Sequence, residues 1–152
     1  MRSINGQTMI EVIVALTLII LFLSGVVVVE LYAVKNVEFS RRKSISTQLA
    51  RQQLERIRVV RDSAGISALN LCFFTCYIND RLTPVPVTPT GIFGQSVTIV
   101  NVSSSDCPLP TITITPVPVS YKATAVVSWG QGEVNITPAP EVVLSSCITD
   151  WR

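Results

Sequence analysis

The chain of 152 residues has 12 Lys and Arg against 10 Asp and Glu, so its formal net charge is only +2. With 48% hydrophobic and 14% charged residues, the composition is unlike that of a disordered or a nucleic-acid-binding chain, and no direct nucleic-acid site is evident. The sequence contains no histidine, which excludes Ser-His-Asp and Cys-His catalysis and removes the commonest metal ligand. We therefore expect no enzyme activity, no catalytic residues, no metal and no cofactor.

The first predicted element is an uncharged apolar segment from Val12 to Val29. As a helix it would be about 27 Å long, close to the roughly 30 Å hydrocarbon thickness of a bilayer. A short leader with one positive charge, Arg2, precedes it, but the small-residue cleavage site of a secretory signal peptide is missing from its far end. We therefore expect the segment to remain in the mature protein and to cross a membrane.

Glu11 is an unusual residue at the start of this segment. A carboxylate in a membrane helix costs about 2.5 to 3.5 kcal/mol at the helix centre and less near its edge, and such groups are usually paired and functional. No Lys or Arg lies within two helical turns of Glu11. Cleavage between Gly6 and Gln7 would create a positively charged amine four residues before it. We expect the partner of Glu11 to come from elsewhere.

Residues 6–16, with the sequence GQTMIEVIVAL, resemble the prepilin-type cleavage and methylation motif of type IV pilins, minor pilins and type II secretion pseudopilins. In that family a membrane peptidase cuts after the glycine and N-methylates the new first residue, and the fifth mature residue is glutamate. Gly6 and Glu11 fit this register. The family usually has Phe where this chain has Gln7, and an N-terminal Gln can cyclise, so methylation and cyclisation are alternatives here.

The resemblance implies a sequence of locations and partners. Residues 1–6 would be the leader peptide, and residues 7–30 would form the transmembrane and filament-core helix. The subunit would first lie in the cytoplasmic (inner) membrane as a single-pass protein with an exported C-terminal domain, and then in a cell-surface or periplasmic filament. Its partners would be other pilin subunits, the prepilin peptidase, the inner-membrane assembly platform with its ATPase, and membrane lipid.

The helical pattern continues beyond the membrane segment, because no Pro or Gly occurs from Tyr32 to about Arg61 and good helix formers dominate residues 48–58. We predict that residues 31–64 continue the helix and that Gly65 caps its end. At 100° per residue, most of the apolar side chains fall on one face. That predicted face consists of Ala50, Gln53, Leu54, Ile57, Val60 and Ala64.

Ser24 and Gly25 interrupt the apolar part of the helix, since a helical Gly costs about 1 kcal/mol relative to Ala. Gly25 resembles the region where the helix locally unwinds in assembled filaments of the pilin family. A small residue that allows close helix packing in the membrane is the alternative interpretation.

Period-two alternation begins after Gly65, and residues 65–152 are rich in Thr, Val, Ile, Pro and Ser. Pro-Val-Pro occurs at 84–86 and 116–118, and because proline cannot donate to a central ladder we interpret both as extended edges or connections. This pattern predicts a β-rich extracytoplasmic domain. The predicted strands are Cys72–Ile78, Gln95–Val102, Thr111–Thr115, Lys122–Trp129 and Glu141–Thr149.

Four later stretches are similar to PilV-like minor pilins: residues 48–58, 93–99, 126–129 and 143–151. Residues 79–92 and 101–120 have no such similarity. The expected fold class is α+β, with a long N-terminal transmembrane helix packed on a small antiparallel sheet. The expected function is that of a structural subunit, a minor pilin or pseudopilin.

The four cysteines all follow the membrane segment, which suits an exported domain in an oxidising compartment. We expect Cys72, Cys76, Cys107 and Cys147 to form one or two disulfides, with three pairings open. Four buried thiols in a cytoplasmic domain and a zinc site of four thiolates are alternatives, although the spacing lacks paired C-x2-C knuckles.

The orientation in the membrane and the function each have an alternative interpretation. Lys35, Arg41, Arg42 and Lys43 follow the apolar segment whereas only Arg2 precedes it, so the positive-inside rule alone favours a cytoplasmic C-terminal part. A signal-anchored adhesion or binding module that never polymerises would also explain the membrane segment and the β-rich domain. It would leave the presence of Gly6 and Glu11 at this spacing unexplained.

Overall fold

The computed structural model describes residues 7–87, 91–102, 107, 119–130 and 139–149, and for residues 7 and 8 the backbone alone. The leader at 1–6 and the predicted strand Thr111–Thr115 lie outside these residues. The chain divides into two compact units between Arg41 and Arg42. The first contains the apolar part of a helix, and the second contains the rest of that helix and a β-sheet.

Helix α1 runs without a break from Gln7 to Ala64, so the long helix predicted to end before Gly65 is present. It ends because Gly65 adopts the left-handed conformation, with φ 82°. There the backbone N–H of Gly65 donates to the carbonyl oxygen of Arg61 at 2.9 Å. This bond satisfies one of the last carbonyl groups of α1, as in the common glycine-terminated helix ends.

The sheet lies wholly within the second unit and is antiparallel throughout. After α1 the chain forms a 3-10 helix, Ile66–Phe73, and then the strands β1 (Cys76–Ile78), β2 (Pro84–Pro86), β3 (Phe93–Asn101), β4 (Ser120–Trp129) and β5 (Glu141–Thr149). The described strands form a five-stranded sheet in the order β2-β1-β3-β4-β5. Strand β4 pairs along nearly its full length with β3 and β5, so it is the centre of the sheet.

The core lies between one face of this sheet and the helix residues that follow Arg42. Along β4, buried side chains alternate with half-buried ones from Ala123 to Trp129, as expected for a sheet with one covered face. The helix contributes Ala50, Gln53, Leu54, Ile57 and Val60 to that interface, which confirms five of the six predicted face positions. The result is an α+β architecture with a helix on a small antiparallel sheet.

Ala64 is the exception to the predicted face, because it is exposed. It is the last residue of α1, where the chain leaves the sheet for the turn at Gly65. The pattern also missed Ser46, which is fully buried one turn before Ala50. A hydrophobicity pattern does not place a polar hydroxyl on a buried face, so the burial of Ser46 could not be predicted from the sequence.

The predicted strand Cys72–Ile78 is wrong in its first half. Residues up to Phe73 belong to the 3-10 helix, and only Cys76–Ile78 is a strand. The reason is the disulfide between Cys72 and Cys76, whose Cα atoms lie 4.7 Å apart. Residues four apart in an extended strand would be separated by about 13 Å, so this bond requires a turn.

The remaining strands agree closely with the prediction. β5 has the predicted bounds, and β3 and β4 each begin two residues earlier than predicted. Pro84–Pro86 is the edge strand β2, which confirms the interpretation of this proline-rich segment as an extended edge. Its ladder is with β1 alone, where a missing N–H on the outer side has no structural cost.

Gln53 completes the sheet at a point where two strands separate. β1 pairs with β3 only at Cys76 and Val97, and two residues farther along the same register would place Ile78 opposite Gln95. At that place the Gln53 amide group donates to the Ile78 carbonyl at 3.2 Å and to Gln95 Oε1 at 3.1 Å. Its own oxygen accepts from the Ile78 N–H at 3.2 Å. A helix side chain therefore links the backbone of β1 to the Gln95 side chain of β3.

Candidate functional site

The first unit exposes an apolar surface around the whole helix. Between Met9 and Phe39 the large apolar side chains are 39 to 73% exposed, and none of the most apolar window is buried. That window has a mean hydropathy of 3.1, so the helix is long and apolar enough to cross a membrane. Soluble monomers rarely leave so large an apolar surface in water. An exposed apolar surface of this extent is typical of a helix that a bilayer or other apolar helices cover.

The backbone and hydroxyl groups of this part of the helix are already satisfied. Thr17 Oγ1 donates to the Val14 carbonyl and Ser24 Oγ donates to the Leu21 carbonyl, each at 2.8 Å. Since a bilayer core offers no water to hydrogen-bond exposed groups, these internal bonds reduce the cost of the two hydroxyls there. The two polar interruptions of the segment are thus compatible with an apolar environment.

Glu11 is the polar group that the first unit does not satisfy from its own helix. It is exposed, one turn after the start of α1. The first basic residue after it is Lys35, about 36 Å farther along the helix axis. Within the part of α1 that the structure describes, a counter-charge for Glu11 is therefore out of reach.

Of the two residues at the predicted cleavage site, the structure describes only the backbone of Gln7. Gly6 lies outside the described residues, and Gln7 is the first residue of α1. The backbone of Gln7 and the side chain of Glu11 are four residues apart, which places them on the same helix face. A cut after Gly6 would remove none of the described helix.

Gly25 leaves α1 unbroken but opens a hollow on its surface. A Cβ atom at this position would meet nothing within 4 Å. The hollow is lined on one helix face by Leu21, Phe22, Gly25, Val26, Val29 and Glu30. In this state Gly25 is helical, so its action as a hinge in a filament remains a prediction.

The four predicted cysteines lie in the second unit, and all of them are paired. Cys72 is bonded to Cys76, and Cys107 is bonded to Cys147. This selects one of the three possible connectivities and leaves no thiolates for the alternative zinc site. The second bond closes a loop with a sequence separation of 40 and fixes it to β5. Among the described residues, no group of three or more His, Cys, Asp or Glu side chains is arranged to hold a metal ion.

Charged side chains in the second unit join α1 to the loops and to β5. Arg56 donates to the Ile78 carbonyl at 2.7 Å and forms an ion pair with Asp80. Arg58 pairs with Glu55 of the same helix at 2.6 Å and donates to Ser146 Oγ of β5 at 2.9 Å. Because at least one partner of each pair is half or more exposed to solvent, these pairs contribute little stability individually. Sequence reasoning missed Arg56, and its position beside the predicted buried face was the available signal.

Comparison of the chain with protein-family models, with curated proteins and with solved structures finds no match.

Proposed function

We propose that this chain is a structural subunit, a minor pilin or pseudopilin, of a type IV pilus or a related filament. The observation that carries the proposal is Glu11, an exposed carboxylate at the start of an apolar helix, five residues after Gly6. A membrane anchor alone needs neither residue. A subunit that is cut after Gly6 and then pairs Glu11 with the new amine of a neighbouring subunit needs both.

In this proposal the two environments of the apolar helix follow each other in time. Before assembly the helix spans the cytoplasmic membrane, where lipid covers its exposed side chains. After extraction by the assembly platform and its ATPase, the helices of other subunits cover the same surface. Burial of apolar area at about 25 cal/mol per Å2 is then the main source of filament cohesion, and the second unit lies outside the membrane.

The proposed role is structural rather than catalytic. Support comes from the disulfide-bonded cysteines and from the absence of histidine, which leave few of the usual nucleophiles, bases and ligands. The exported orientation is also a proposal, because the basic residues after the apolar segment favour the opposite orientation. Two disulfides support export, since such bonds persist in oxidising compartments.

Processing is the direct test of this function. The full chain is expressed in membranes that contain a prepilin peptidase, and the mass of its N-terminal peptide is measured. We expect an N-terminus at Gln7, either methylated or cyclised, and we expect Gly6→Val to retain residues 1–6. Gly25→Ala is the matched control, because an added Cβ there meets no neighbour. An intact Met1 in the wild-type chain would refute the proposal and favour the anchored adhesion module.

A further inference from the structure

The segment from Cys72 to Ile78 has the sequence of a strand, but only its last three residues form one. Aromatic and β-branched residues, which favour strands, occupy five of its seven positions. The first two residues instead end a 3-10 helix of eight residues, although runs of this helix longer than three or four residues are uncommon. The local preference of residues 72–75 is therefore opposed to the structure that they adopt.

The disulfide between Cys72 and Cys76 is the constraint that opposes a strand. It holds their Cα atoms 4.7 Å apart, so extension would have to separate them by about 8 Å more. The preceding chain can supply this length. A 3-10 helix rises about 2.0 Å per residue and an extended chain about 3.3 Å, so residues 66–72 would gain about 9 Å on extension.

The register of β1 with β3 defines where the extended residues would lie. β1 pairs antiparallel with β3 at Cys76 and Val97, and β3 continues to Asn101. Extension of this register places residues 75, 74, 73 and 72 opposite residues 98, 99, 100 and 101. Those four residues already belong to a strand, because β3 pairs with β4 over its whole length. A longer β1 therefore requires no change in β3.

The side chains that would face each other are of kinds that stabilise antiparallel sheets. Two pairs join an aromatic to a β-branched residue, and the third joins two threonines. The pairs are Phe74 with Ile99, Phe73 with Val100, and Thr75 with Thr98. In the structure Phe74 is 83% exposed and Val100 is 50% exposed. The longer strand would therefore also cover apolar surface that the disulfide-bonded form leaves exposed.

We propose that the Cys72–Cys76 disulfide is a conformational switch. While both residues are thiols, residues 72–75 extend β1 to a strand of seven residues along β3. A disulfide-bearing protein oxidant then takes two electrons and two protons from the thiols and becomes a dithiol, and a bond forms between the two Sγ atoms. This bond closes the turn, adds residues 72 and 73 to the 3-10 helix, and exposes Phe74.

The switch acts in one direction. Both cysteines are fully buried in the disulfide-bonded form, so a reductant reaches neither sulfur unless the domain opens. The change is confined to the second unit and does not depend on the proposed filament. Its failure and the failure of the pilin proposal are distinguishable, because N-terminal processing is measured separately on the same preparation.

The first experiment compares the two disulfides in full-length protein in detergent micelles. The double variant Cys72→Ala, Cys76→Ala cannot form the bond of the switch. The double variant Cys107→Ala, Cys147→Ala is the matched control, because it lacks the other bond and keeps this one. Amide hydrogen exchange is measured at residues 73–75 in both variants and in the wild type.

Exchange should slow only where the switch is removed. We expect at least one amide among residues 73–75 to exchange about tenfold more slowly, or slower still, in Cys72→Ala, Cys76→Ala, because strand hydrogen bonds would protect it. The control variant should exchange at these residues like the wild type. The fluorescence of buried Trp129 should be unchanged in Cys72→Ala, Cys76→Ala, since the rest of the sheet is retained.

The second experiment tests the register of the longer strand in the same Cys72→Ala, Cys76→Ala background. Phe73→Cys combined with Val100→Cys should oxidise to a disulfide, because Cα atoms of directly opposed residues lie about 4.5 to 5.5 Å apart. Phe73→Cys combined with Ser96→Cys is the control pair. It should stay reduced, since residue 96 lies about 13 Å farther along β3.

Four results would overturn the proposal. Residues 73–75 could exchange in Cys72→Ala, Cys76→Ala as they do in the wild type, which would make the turn intrinsic to the sequence. Exchange could slow equally in the control variant. Trp129 could lose its burial in Cys72→Ala, Cys76→Ala, which would make the bond a structural link alone. Finally, the cysteine at position 73 could bond as efficiently to position 96 as to position 100.

Discussion

The two halves of α1 have the same secondary structure and opposite surroundings. From Met9 to Phe39 the large apolar side chains point to every side and are exposed. From Arg42 to Ala64 most of the apolar residues form one stripe, and that stripe is buried against the sheet. Helix-forming tendency is therefore common to both halves, and the distribution of polar residues decides what covers each.

The same contrast holds for the polar residues set among apolar ones. Gln53 is buried, and its amide bonds to Ile78 and Gln95 within the same chain. Glu11 is also surrounded by apolar side chains, but no basic side chain of the described helix can reach it. A polar group in an apolar stripe thus indicates a partner. For Gln53 the partner is β1, and for Glu11 we propose another subunit.

The largest expected difference between the two halves of α1 is in the stability lost when a helix isoleucine is replaced by alanine. Ile57 is fully buried, whereas Ile13 is 59% exposed. We predict that Ile57→Ala lowers the free energy of unfolding of the second unit by about 3 kcal/mol, from lost burial and a cavity. Ile13→Ala should change it by less than about 0.5 kcal/mol. Chemical denaturation of the full chain in detergent, followed by the fluorescence of buried Trp129, measures both. Equal effects would contradict the division of α1.

A smaller effect is expected when the bridge between β1 and β3 is removed. Gln53→Leu should destabilise the second unit by about 2 kcal/mol, because the N–H of buried Ile78 loses its acceptor, while the Ile78 carbonyl keeps only its bond from Arg56. Gln52→Leu is the matched control, since Gln52 is exposed one position earlier. Hydrogen exchange adds a local measurement: the Ile78 amide should lose protection in Gln53→Leu alone. Retained protection at Ile78 would contradict the assigned role of Gln53.

The smallest expected effect is at two glycines, one that ends α1 and one that lies inside it. Gly65 has φ 82°, and a Cβ there would meet only Ser67 Oγ at 3.9 Å, so the backbone conformation sets the cost. We predict that Gly65→Ala destabilises the second unit by about 1 kcal/mol. Gly25→Ala should leave that stability unchanged and slightly raise helicity, because Gly25 is already helical. A circular dichroism melt should therefore show a lower midpoint for Gly65→Ala, and an unchanged midpoint with a slightly stronger helical signal for Gly25→Ala.

Much of this fold follows from local patterns in the sequence. The length of α1 follows from the absence of Pro and Gly beyond Gly25, and its end follows from Gly65. The bounds of β5 follow from regular alternation between flanking polar residues. In each case residues close together in the sequence determine the bounds of the element, so these bounds can be predicted without knowledge of tertiary contacts.

The errors arise where distant residues decide the local structure. A disulfide turns the first part of a predicted strand into a 3-10 helix, and a cysteine pattern does not state its pairing. The burial of Ser46 and the hydrogen-bond partners of Gln53 depend on the strands that pack against the helix. At the candidate site, the sequence predicts that Glu11 needs a partner of opposite charge. The proposed partner belongs to another subunit, so the fold of one chain does not contain it.

The central claim is that Glu11 acts in assembly between subunits, and one measurement tests it most directly. Wild-type protein, Glu11→Gln and the matched control Glu30→Gln are produced in the native host, and the amount of each in sheared surface filaments is measured relative to the membrane fraction. A one-sided loss of a buried charge pair costs about 3 to 5 kcal/mol. We therefore predict that all three are cleaved after Gly6, that Glu30→Gln enters filaments like the wild type, and that Glu11→Gln is reduced at least about tenfold. Normal incorporation of Glu11→Gln alongside a free Gln7 amine, or absence of the wild type from filaments, would contradict the account.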